Sequence, residues 1–386
     1  SYFDFEGEVE VKIWSKNPIA NQLVQIRPQA LGVPHTTIGD TIYFALSKPC
    51  NLSIEVNKDR FRNLHLFTNA PETFVPDDND PNLIYFAPGF LEIVADDKYI
   101  LPKSNQHIHL AAGAVVKGTI WLENIENVTI SGHGVLDASI QTTEEWGRVT
   151  VELKDVKNIV IKDIIILKQT LKNNNIHFAR ADGVKISNVK IIASTNWSDG
   201  VHILCSQNIS IDQVFFRTSD DCIAVYASRG GELGSTKNVY VTNSTLWNER
   251  AHSMFIGAHG NPNGQDTIQT VLFKNIQVIE SYEPMEIYQG VMAINSGENN
   301  VIKKIRFDQI TVEDFNRNQL FNFKVFLNTY YMKVPGKLLT DVEVSNVTYT
   351  GSGELMSQIS GYDSTRIVDG IYFRSHTLLY RRSQVV

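Results

Sequence analysis

Three aspartates and one histidine stand in short polar phrases in the middle of the chain. The phrases are Trp197-Ser-Asp-Gly200, Thr218-Ser-Asp-Asp-Cys222 and Arg250-Ala-His-Ser253. Carboxylates crowded on one surface repel each other, and this raises the pKa of at least one of them. One carboxyl group can then donate a proton while another stays ionised as a base, which is what cleavage of a glycosidic bond requires. The phrases predict a catalytic group of Asp199, Asp220 and Asp221, with His252 beside it.

Repeated units must position these residues. From about residue 105, Val or Ile alternates with polar residues in nine phrases, among them Asn127-Val-Thr-Ile-Ser, Asn158-Ile-Val-Ile-Lys and Asn208-Ile-Ser-Ile-Asp. Successive phrases start 25 to 37 residues apart. Alternation with period two indicates strands with one buried face. A β-propeller blade would need ~40–45 residues, so the shorter repeat favours one coil of a parallel β-helix. We predict about nine or ten coils up to about residue 375.

Residues about one repeat apart in the sequence become neighbours in space when the coils stack. Equivalent points of consecutive coils stack ~4.8 Å apart in a parallel solenoid. Counted from the start of its own coil, Asp199 lies at position 16, the aspartate pair at positions 12 and 13, and His252 at position 14. Three successive coils are therefore expected to present an acid, an acid pair and an imidazole at one corner.

The first eighty residues follow a different pattern. Their alternating runs are irregularly spaced and are interrupted by Pro18, Pro28, Pro34 and Pro49. Such short strands between proline-containing turns are typical of a small β-sandwich. The polar segment 76–81, bounded by prolines, is the predicted linker. We therefore predict an all-β chain, with a β-sandwich over residues 1–80 and a β-helical catalytic domain over residues 81–386.

The same phrases resemble a known group of enzymes. Trp197-Ser-Asp-Gly, Ser219-Asp-Asp-Cys and Ala251-His-Ser are similar to the Asn-Thr-Asp, Asp-Asp-Cys and Gly-His-Gly blocks of the polygalacturonase family. Leu246-Trp-Asn-Glu-Arg and Val271-Leu-Phe-Lys-Asn-Ile more closely resemble the related dextranase and isopullulanase family. The resemblance implies a right-handed β-helix and an inverting glycoside hydrolase. It makes Asp220 the general acid and gives Asp199 and Asp221 the task of activating water.

One physical rule disagrees with inversion. Stacking at ~4.8 Å lies nearer to the carboxyl spacing of retaining enzymes, about 5–5.5 Å, than to the wider spacing of inverting ones. Different positions within the coil would widen the gap. We nevertheless expect an inverting enzyme, as the resemblance implies.

The substrate prediction depends on a departure from the polygalacturonase pattern. That family carries an Arg-x-Lys element in the coil after its histidine, suited to a galacturonate carboxylate. The corresponding stretch here is Met285-Glu-Ile-Tyr-Gln289, without a basic residue. Because Glu286 would repel a uronate, we expect a neutral, dextran-like α-glucan as the substrate.

Other functions remain open at this stage. A polygalacturonase-like pectin hydrolase is one alternative. A calcium-dependent polysaccharide lyase is a second, with the three aspartates as metal ligands instead of acid and base. A non-catalytic solenoid that binds glycans is a third.

Several side chains near the catalytic coils are candidates for contact with the sugar, because sugar faces stack on aromatic rings and polar groups bind hydroxyls. The predicted substrate-binding residues are Trp197, Tyr226, His252, His259, Glu286 and Tyr288.

Composition limits the remaining possibilities. The 386 residues carry a net charge of −7, which excludes a basic nucleic-acid footprint. No apolar run reaches the ~20 residues that span a bilayer, so no membrane partner is expected. Three cysteines cannot form a disulfide framework. We expect a monomer that needs no cofactor or metal ion, binds a polysaccharide or oligosaccharide, and acts in a secreted or periplasmic setting, although no signal peptide is present in this sequence.

Overall fold

The structure is a computed structural model that describes residues 1–92, 99–139, 148–170, 172–352 and 356–374. The chain divides into two compact units, residues 1–75 and 76–386, whereas the sequence placed the boundary at residue 80. In the described part, the helical segments are the short 3-10 turns Gln29–Leu31 and Glu286–Tyr288, and none is long and apolar enough to cross a membrane. The prediction of an all-β chain is confirmed.

The first unit consists of two small sheets. Its strands are β1 (Tyr2–Asp4), β2 (Val9–Trp14), β3 (Val24–Arg27), β4 (His35–Ile38), β5 (Thr41–Leu46), β6 (Asn51–Val56) and β7 (Leu64–Asn69). One sheet has the order β1-β7-β6-β3 and the other the order β2-β5-β4. Apolar side chains from both, such as Phe44 of β5 and Ile54 of β6, form one hydrophobic core.

The second unit consists of strands that recur about three to a coil. They are β8 (Leu83–Phe86), β9 (Gly89–Glu92), β10 (Tyr99–Ile100), β11 (His107–Leu110), β12 (Ala114–Lys117), β13 (Thr119–Glu123), β14 (Glu126–Ser131), β15 (Val135–Asp137), β16 (Val151–Lys154), β17 (Lys157–Lys162), β18 (Ile165–Lys168), β19 (Ile176–Ala179), β20 (Asp182–Ser187), β21 (Lys190–Ala193), β22 (Val201–Leu204), β23 (Gln207–Asp212), β24 (Phe215–Thr218), β25 (Ile223–Tyr226), β26 (Thr236–Asn248), β27 (Met254–Gly257), β28 (Thr267–Tyr282), β29 (Met292–Ser296), β30 (Val301–Asn316), β31 (Phe321–Val325), β32 (Leu338–Tyr349), β33 (Gln358–Ser360) and β34 (Ile367–Arg374).

Each strand pairs in parallel with its equivalent in the next coil. The coil made of β19, β20 and β21 stacks on β22, β23 and β24 in this way. One ten-stranded sheet runs from β10 through β19, β22, β25 and β27 to β33, and the other strands form a seventeen-stranded sheet. From β26 onward, single long strands replace two short ones. This architecture is the predicted parallel β-helix.

The alternating pattern and the asparagines of the repeats both have structural roles. The Val and Ile residues at every second position point inward, and these side chains form one continuous buried core along the β-helix. Asn127, Asn158 and Asn208 adopt left-handed φ angles of 57°, 54° and 58°, which Asn tolerates better than most residues. The Asn158 amide donates to Asn127 Oδ1 at 3.2 Å. The Asn positions thus mark bends that stack in register from coil to coil.

Candidate active site

The aspartates occupy turns that lead into the ten-stranded sheet. Asp199 lies just before β22, Asp220 and Asp221 lie before β25, and His252 lies before β27. Main-chain hydrogen bonds continue through these turns: the Gly200 N–H donates to the Asp221 carbonyl and the Cys222 N–H to the His252 carbonyl, both at 2.8 Å. Because the register is kept, three consecutive coils bring these residues together.

The three carboxyl groups are close to one another. One oxygen of each lies within 4.8 Å of an oxygen of each of the others. A water molecule that accepts or donates hydrogen bonds at ~2.8 Å could lie between two of them. The cluster can therefore hold a water molecule against two carboxylates while the third carboxyl group stays available.

Asp220 has the properties of a proton donor. Its side chain is half-buried and lines a cavity. Burial, followed by the charge of Asp221, raises the pKa of Asp220 to about 7, although the Asp221 N–H donates to Asp220 Oδ1 at 2.9 Å and favours the ionised form. Near neutral pH a substantial fraction of this carboxyl group is protonated.

Asp221 is held as a carboxylate by its partners. Its Oδ1 accepts the main-chain N–H of His252 at 3.0 Å and faces His252 Nδ1 at 2.6 Å, and its Oδ2 accepts the Tyr226 hydroxyl at 3.2 Å. His252 Nε2 must donate, since it faces the carbonyl of Tyr288. Burial opposes a charged His252, but the carboxylate of Asp221 outweighs it and the pKa of His252 is raised. The pair is an imidazolium and a carboxylate.

Asp199 has a different environment. Its side chain is buried, and the described structure shows no side-chain donor within hydrogen-bond distance of it. Burial, then the charges of Asp220 and Asp221, raise its pKa well above the ordinary value. His202 Nε2 lies 3.8 Å from Asp199 Oδ2, but burial, then the charge of Arg229, lower the pKa of His202, so this imidazole does not compensate the carboxylate. The three carboxyl groups are thus unequal in ionisation.

A cavity of about 470 Å³ opens onto the aspartates. Four of the predicted substrate-binding residues line it: Trp197, Tyr226, His259 and Tyr288. Trp197 is 44% exposed, so its ring is accessible for stacking on a sugar. Tyr226 and Tyr288 are almost fully buried, so they present only a small part of their surface to a ligand.

Two predicted contacts must be corrected. His252 is completely buried beneath Asp221, and both of its ring nitrogens have partners, so it orients Asp221 and does not line the cavity. Glu286 begins the 3-10 turn that precedes β29 and is exposed outside the cavity. Glu283 and Met285 line the wall instead. Glu286 therefore does not face a uronate bound in this cavity.

Several cavity residues are not among the site residues predicted from the sequence, including His202, Arg229, Arg250 and Glu283. The coil register could have found His202, because Glu152, His177 and His202 occupy equivalent positions in β16, β19 and β22. Arg229 follows β25 in a turn outside the repeating register, so it has no comparable signal. Burial raises the pKa of Glu283, which favours its neutral form.

A metal ion is a second use that the aspartates permit. Among the described residues, Asp199, Asp220 and Asp221 are the one group of three His, Cys, Asp or Glu side chains whose donor atoms are close enough to share an ion. Oxygen-rich groups of this kind suit Ca²⁺ or Mg²⁺. A bound cation would lower the pKa of the carboxyl groups that ligate it, so removal of the ion with a chelator distinguishes this use from acid catalysis.

The cavity contains one carboxyl group that can donate a proton and one that can act as a base, on a parallel β-helix. These are the groups that a β-helix glycoside hydrolase needs. The family model described as "Glycosyl hydrolases family 28" matches residues 103–359, which is more than half of the chain. The chain belongs to this family.

The relatives found by comparison are distant. The chain is 25% identical over 253 residues to "Polygalacturonase" from Persea americana, covering 60% of this chain and 49% of the relative. It is 26% identical over 250 residues to "Probable endopolygalacturonase D" from Neosartorya fischeri, covering 64% and 43%. The chain thus spans about half the length of the curated relatives it matches.

Solved structures that align with this chain include a polygalacturonase and the protein Dex49A. The family 28 exopolygalacturonase of Yersinia enterocolitica aligns with a TM-score of 0.49 at 11% identity, covering 96% of this chain and 95% of that one. Dex49A from Penicillium minioluteum aligns with a TM-score of 0.49 at 13% identity, covering 96% and 82%. The preference for a dextranase-like family over a polygalacturonase-like one finds no support in these comparisons.

Proposed function

We propose that the protein is a polygalacturonase-like hydrolase that cleaves α-linked galacturonate polymers. The observation that carries the proposal is a half-buried Asp220 with a pKa of about 7, a value that burial and then the charge of Asp221 produce, next to an Asp221 that is held as a carboxylate. Family membership and the polygalacturonase relatives support this reaction and substrate class.

The roles of the carboxyl groups follow from their environments. Asp220 donates its proton to the oxygen of the leaving sugar, because it is the accessible carboxyl group with a proton near neutral pH. Asp221 accepts a proton from a water molecule held between it and Asp199. The water attacks the anomeric carbon, the glycosidic bond breaks, and Asp220 ends as the carboxylate.

The proposal includes inversion of configuration. The carboxyl spacing within 4.8 Å is shorter than the spacing usual for inverting enzymes. Inversion requires that a water molecule shared by Asp199 and Asp221 attacks the anomeric carbon from the face opposite to the leaving oxygen that Asp220 protonates. Inversion thus rests on shared water, and the stereochemistry of the product tests it.

The cavity wall offers two arginines to an acidic sugar. Arg229 and Arg250 line the cavity, whereas the exposed Glu286 does not. Glu283 does line it, but burial raises the pKa of Glu283 and so reduces its repulsion of an anion. Glu152 and Glu232 also line the cavity, but Glu232 pairs with Arg180 and Lys154, and Glu152 contacts His177 Nδ1. A uronate can therefore approach the two arginines.

The substrate class and the stereochemistry can be tested together. We expect the protein to release reducing ends from polygalacturonate and not from dextran, with a freshly formed β-anomer visible by NMR and no loss of activity in EDTA. Activity on dextran alone would restore the neutral-glucan interpretation. Unsaturated products that absorb in the near ultraviolet, together with inactivation by EDTA, would identify a lyase. An initial α-anomer would contradict inversion.

The pH dependence of activity should follow Asp220. We expect kcat/KM on oligogalacturonate to fall as the pH rises through about 7, because burial raises the pKa of the acid Asp220 to that value and only the protonated form can donate. The protonated fraction drops tenfold for each pH unit above the pKa. Rates at pH 5 to 9, with circular dichroism as a check on folding, measure the effect. A rate that stays constant up to pH 9 would exclude Asp220 as the acid.

A further inference from the structure

Arg229 is a cation in the cavity with most of its hydrogen-bonding capacity unused. It follows β25, and its guanidinium lies 5.1 Å from the centroid of the Tyr226 ring. Its single side-chain hydrogen bond in the described structure joins Nη1 to Nε2 of His202 at 2.6 Å. No carboxylate oxygen of the described residues lies within 4.0 Å of its guanidinium. Its charge is therefore not neutralised by an ion pair within the protein.

The contact with His202 fixes the protonation of that imidazole. A guanidinium can only donate, so His202 Nε2 must be the acceptor and carries no proton. The proton of the neutral ring then lies on Nδ1. Asn174 Nδ2 is placed 2.6 Å from this Nδ1, so the amide must be turned over for its oxygen to accept the proton. Burial, then the charge of Arg229, hold the pKa of His202 well below its ordinary value. His202 is a neutral base that orients Arg229.

The position of this pair relates it to the catalytic group. The same His202 Nε2 lies 3.8 Å from Asp199 Oδ2, so one imidazole separates the guanidinium from the catalytic aspartates. Both His202 and Arg229 line the cavity. A sugar ring bound at the aspartates can therefore extend a substituent to Arg229.

The unused donors define the ligand. A guanidinium has five N–H groups in a planar fork, of which His202 accepts one. A planar anion with two oxygens is the group that such a fork binds best. Neutral sugar hydroxyls would leave the charge without a counterion in a partly buried site. Arg250 is a less suitable receptor, because it is exposed and no described residue anchors its guanidinium as His202 anchors that of Arg229.

We propose that Arg229, positioned by His202, binds the carboxylate of a uronic acid residue next to the scissile bond and thereby determines specificity for acidic substrates. This proposal rests on the proposed function for its substrate class. It replaces the Arg-x-Lys element, which this chain lacks in the coil after His252, with a cation from a different coil.

Binding and catalysis distinguish the two proposals. Calorimetry with trigalacturonate and its methyl ester uses the Asp220→Asn variant, so that binding is measured without cleavage. We expect Arg229→Met in that background to weaken binding of the acid about 10–100-fold and binding of the ester less than about threefold, from the strength of hydrogen bonds to charged groups. Arg306→Met replaces an arginine of β30 that does not line the cavity and pairs with Asp341 and Glu343; it serves as a control and should change neither.

His202 has its own test in the active enzyme. His202→Leu removes the acceptor and should raise KM for oligogalacturonate with a much smaller effect on kcat, whereas His202→Gln, whose amide oxygen can accept from Arg229, should restore KM at least in part. A merely structural role would lower stability and kcat in both variants, without rescue by Gln.

The outcomes separate as follows. Equal loss of acid and ester binding in Arg229→Met, unchanged acid binding, or no binding of trigalacturonate at all would overturn the role of Arg229. Binding of the acid that depends on Arg229, without hydrolysis of galacturonate by the wild-type protein, would overturn the proposed function alone.

Discussion

Asp220→Asn is expected to lower kcat on polygalacturonate about 10²- to 10⁴-fold, the usual contribution of general acid–base catalysis. Asparagine has nearly the same shape as aspartic acid but cannot protonate the leaving oxygen. The main-chain N–H of Asp221, which donates to Asp220 Oδ1, can still donate to the amide oxygen of Asn. Initial rates of reducing-end release at pH 5 to 6, where Asp220 is protonated in the wild-type protein, measure the loss.

The same substitution should not weaken the fold. Burial, then the charge of Asp221, raise the pKa of Asp220 to about 7, so the unfolded chain binds fewer protons than the folded one between about pH 4 and pH 7. The stability of the wild-type protein therefore falls as the pH rises through that window, and a neutral Asn removes this loss. We expect an equal or higher thermal midpoint for Asp220→Asn at pH 8. Exposed Asp369→Asn is the matched control and should keep full activity. An active Asp220→Asn variant would refute the assignment.

The β-helix was predictable because its signal is repeated many times. Each coil shows the same alternation, and each buried Val or Ile stacks on an equivalent residue of the next coil, as Ile176 does on Val201. The repeat also predicts that Asp199, Asp220 and Asp221 meet, since a side chain near a bend keeps its phase from coil to coil. The pairing of distant strands is therefore predictable here, because each coil carries the same local pattern.

The directions of side chains in the turns could not be predicted in the same way. Glu286 and Tyr288 are two residues apart, yet one is exposed outside the cavity and the other lines it, because the chain forms a 3-10 turn there and not a strand. His252 has the expected coil position, but it is buried. The carbonyl of Tyr288 in the following coil accepts from its Nε2, and the repeat does not predict this partner. Turns outside the repeat have no periodic signal.

The three aspartates share a site, but the surrounding residues compensate their negative charges to different extents. Asp221 accepts two hydrogen bonds from His252 and one from Tyr226, so its negative charge is compensated. Asp199 has no such donors in the described structure, and its charge is opposed by burial and by two neighbouring carboxylates. The fold therefore stabilises the negative charge of Asp221 and disfavours that of Asp199.

This difference predicts opposite stability effects for two substitutions with similar catalytic losses. We expect Asp199→Asn and Asp221→Asn each to lower kcat about 10²- to 10⁴-fold, because both act on the attacking water. Asp221→Asn should also lower the free energy of unfolding by about 3 kcal/mol, because it leaves the imidazolium of His252 buried without its counterion. Thermal unfolding and initial rates of the two variants, measured at pH 7.5, test both expectations.

Asp199→Asn should instead raise the thermal midpoint, and the sign follows from proton linkage. The pKa of Asp199 is raised in the folded protein, by burial first and then by Asp220 and Asp221, so wild-type stability decreases as the pH rises above about 4, where the unfolded chain ionises. The advantage of Asn is therefore largest near pH 8 and disappears below about pH 4, where Asp199 is protonated in both states. A destabilised Asp199→Asn, or a gain that does not change with pH, would show that Asp199 is held as a compensated carboxylate like Asp221 and that the two aspartates contribute equally to the base.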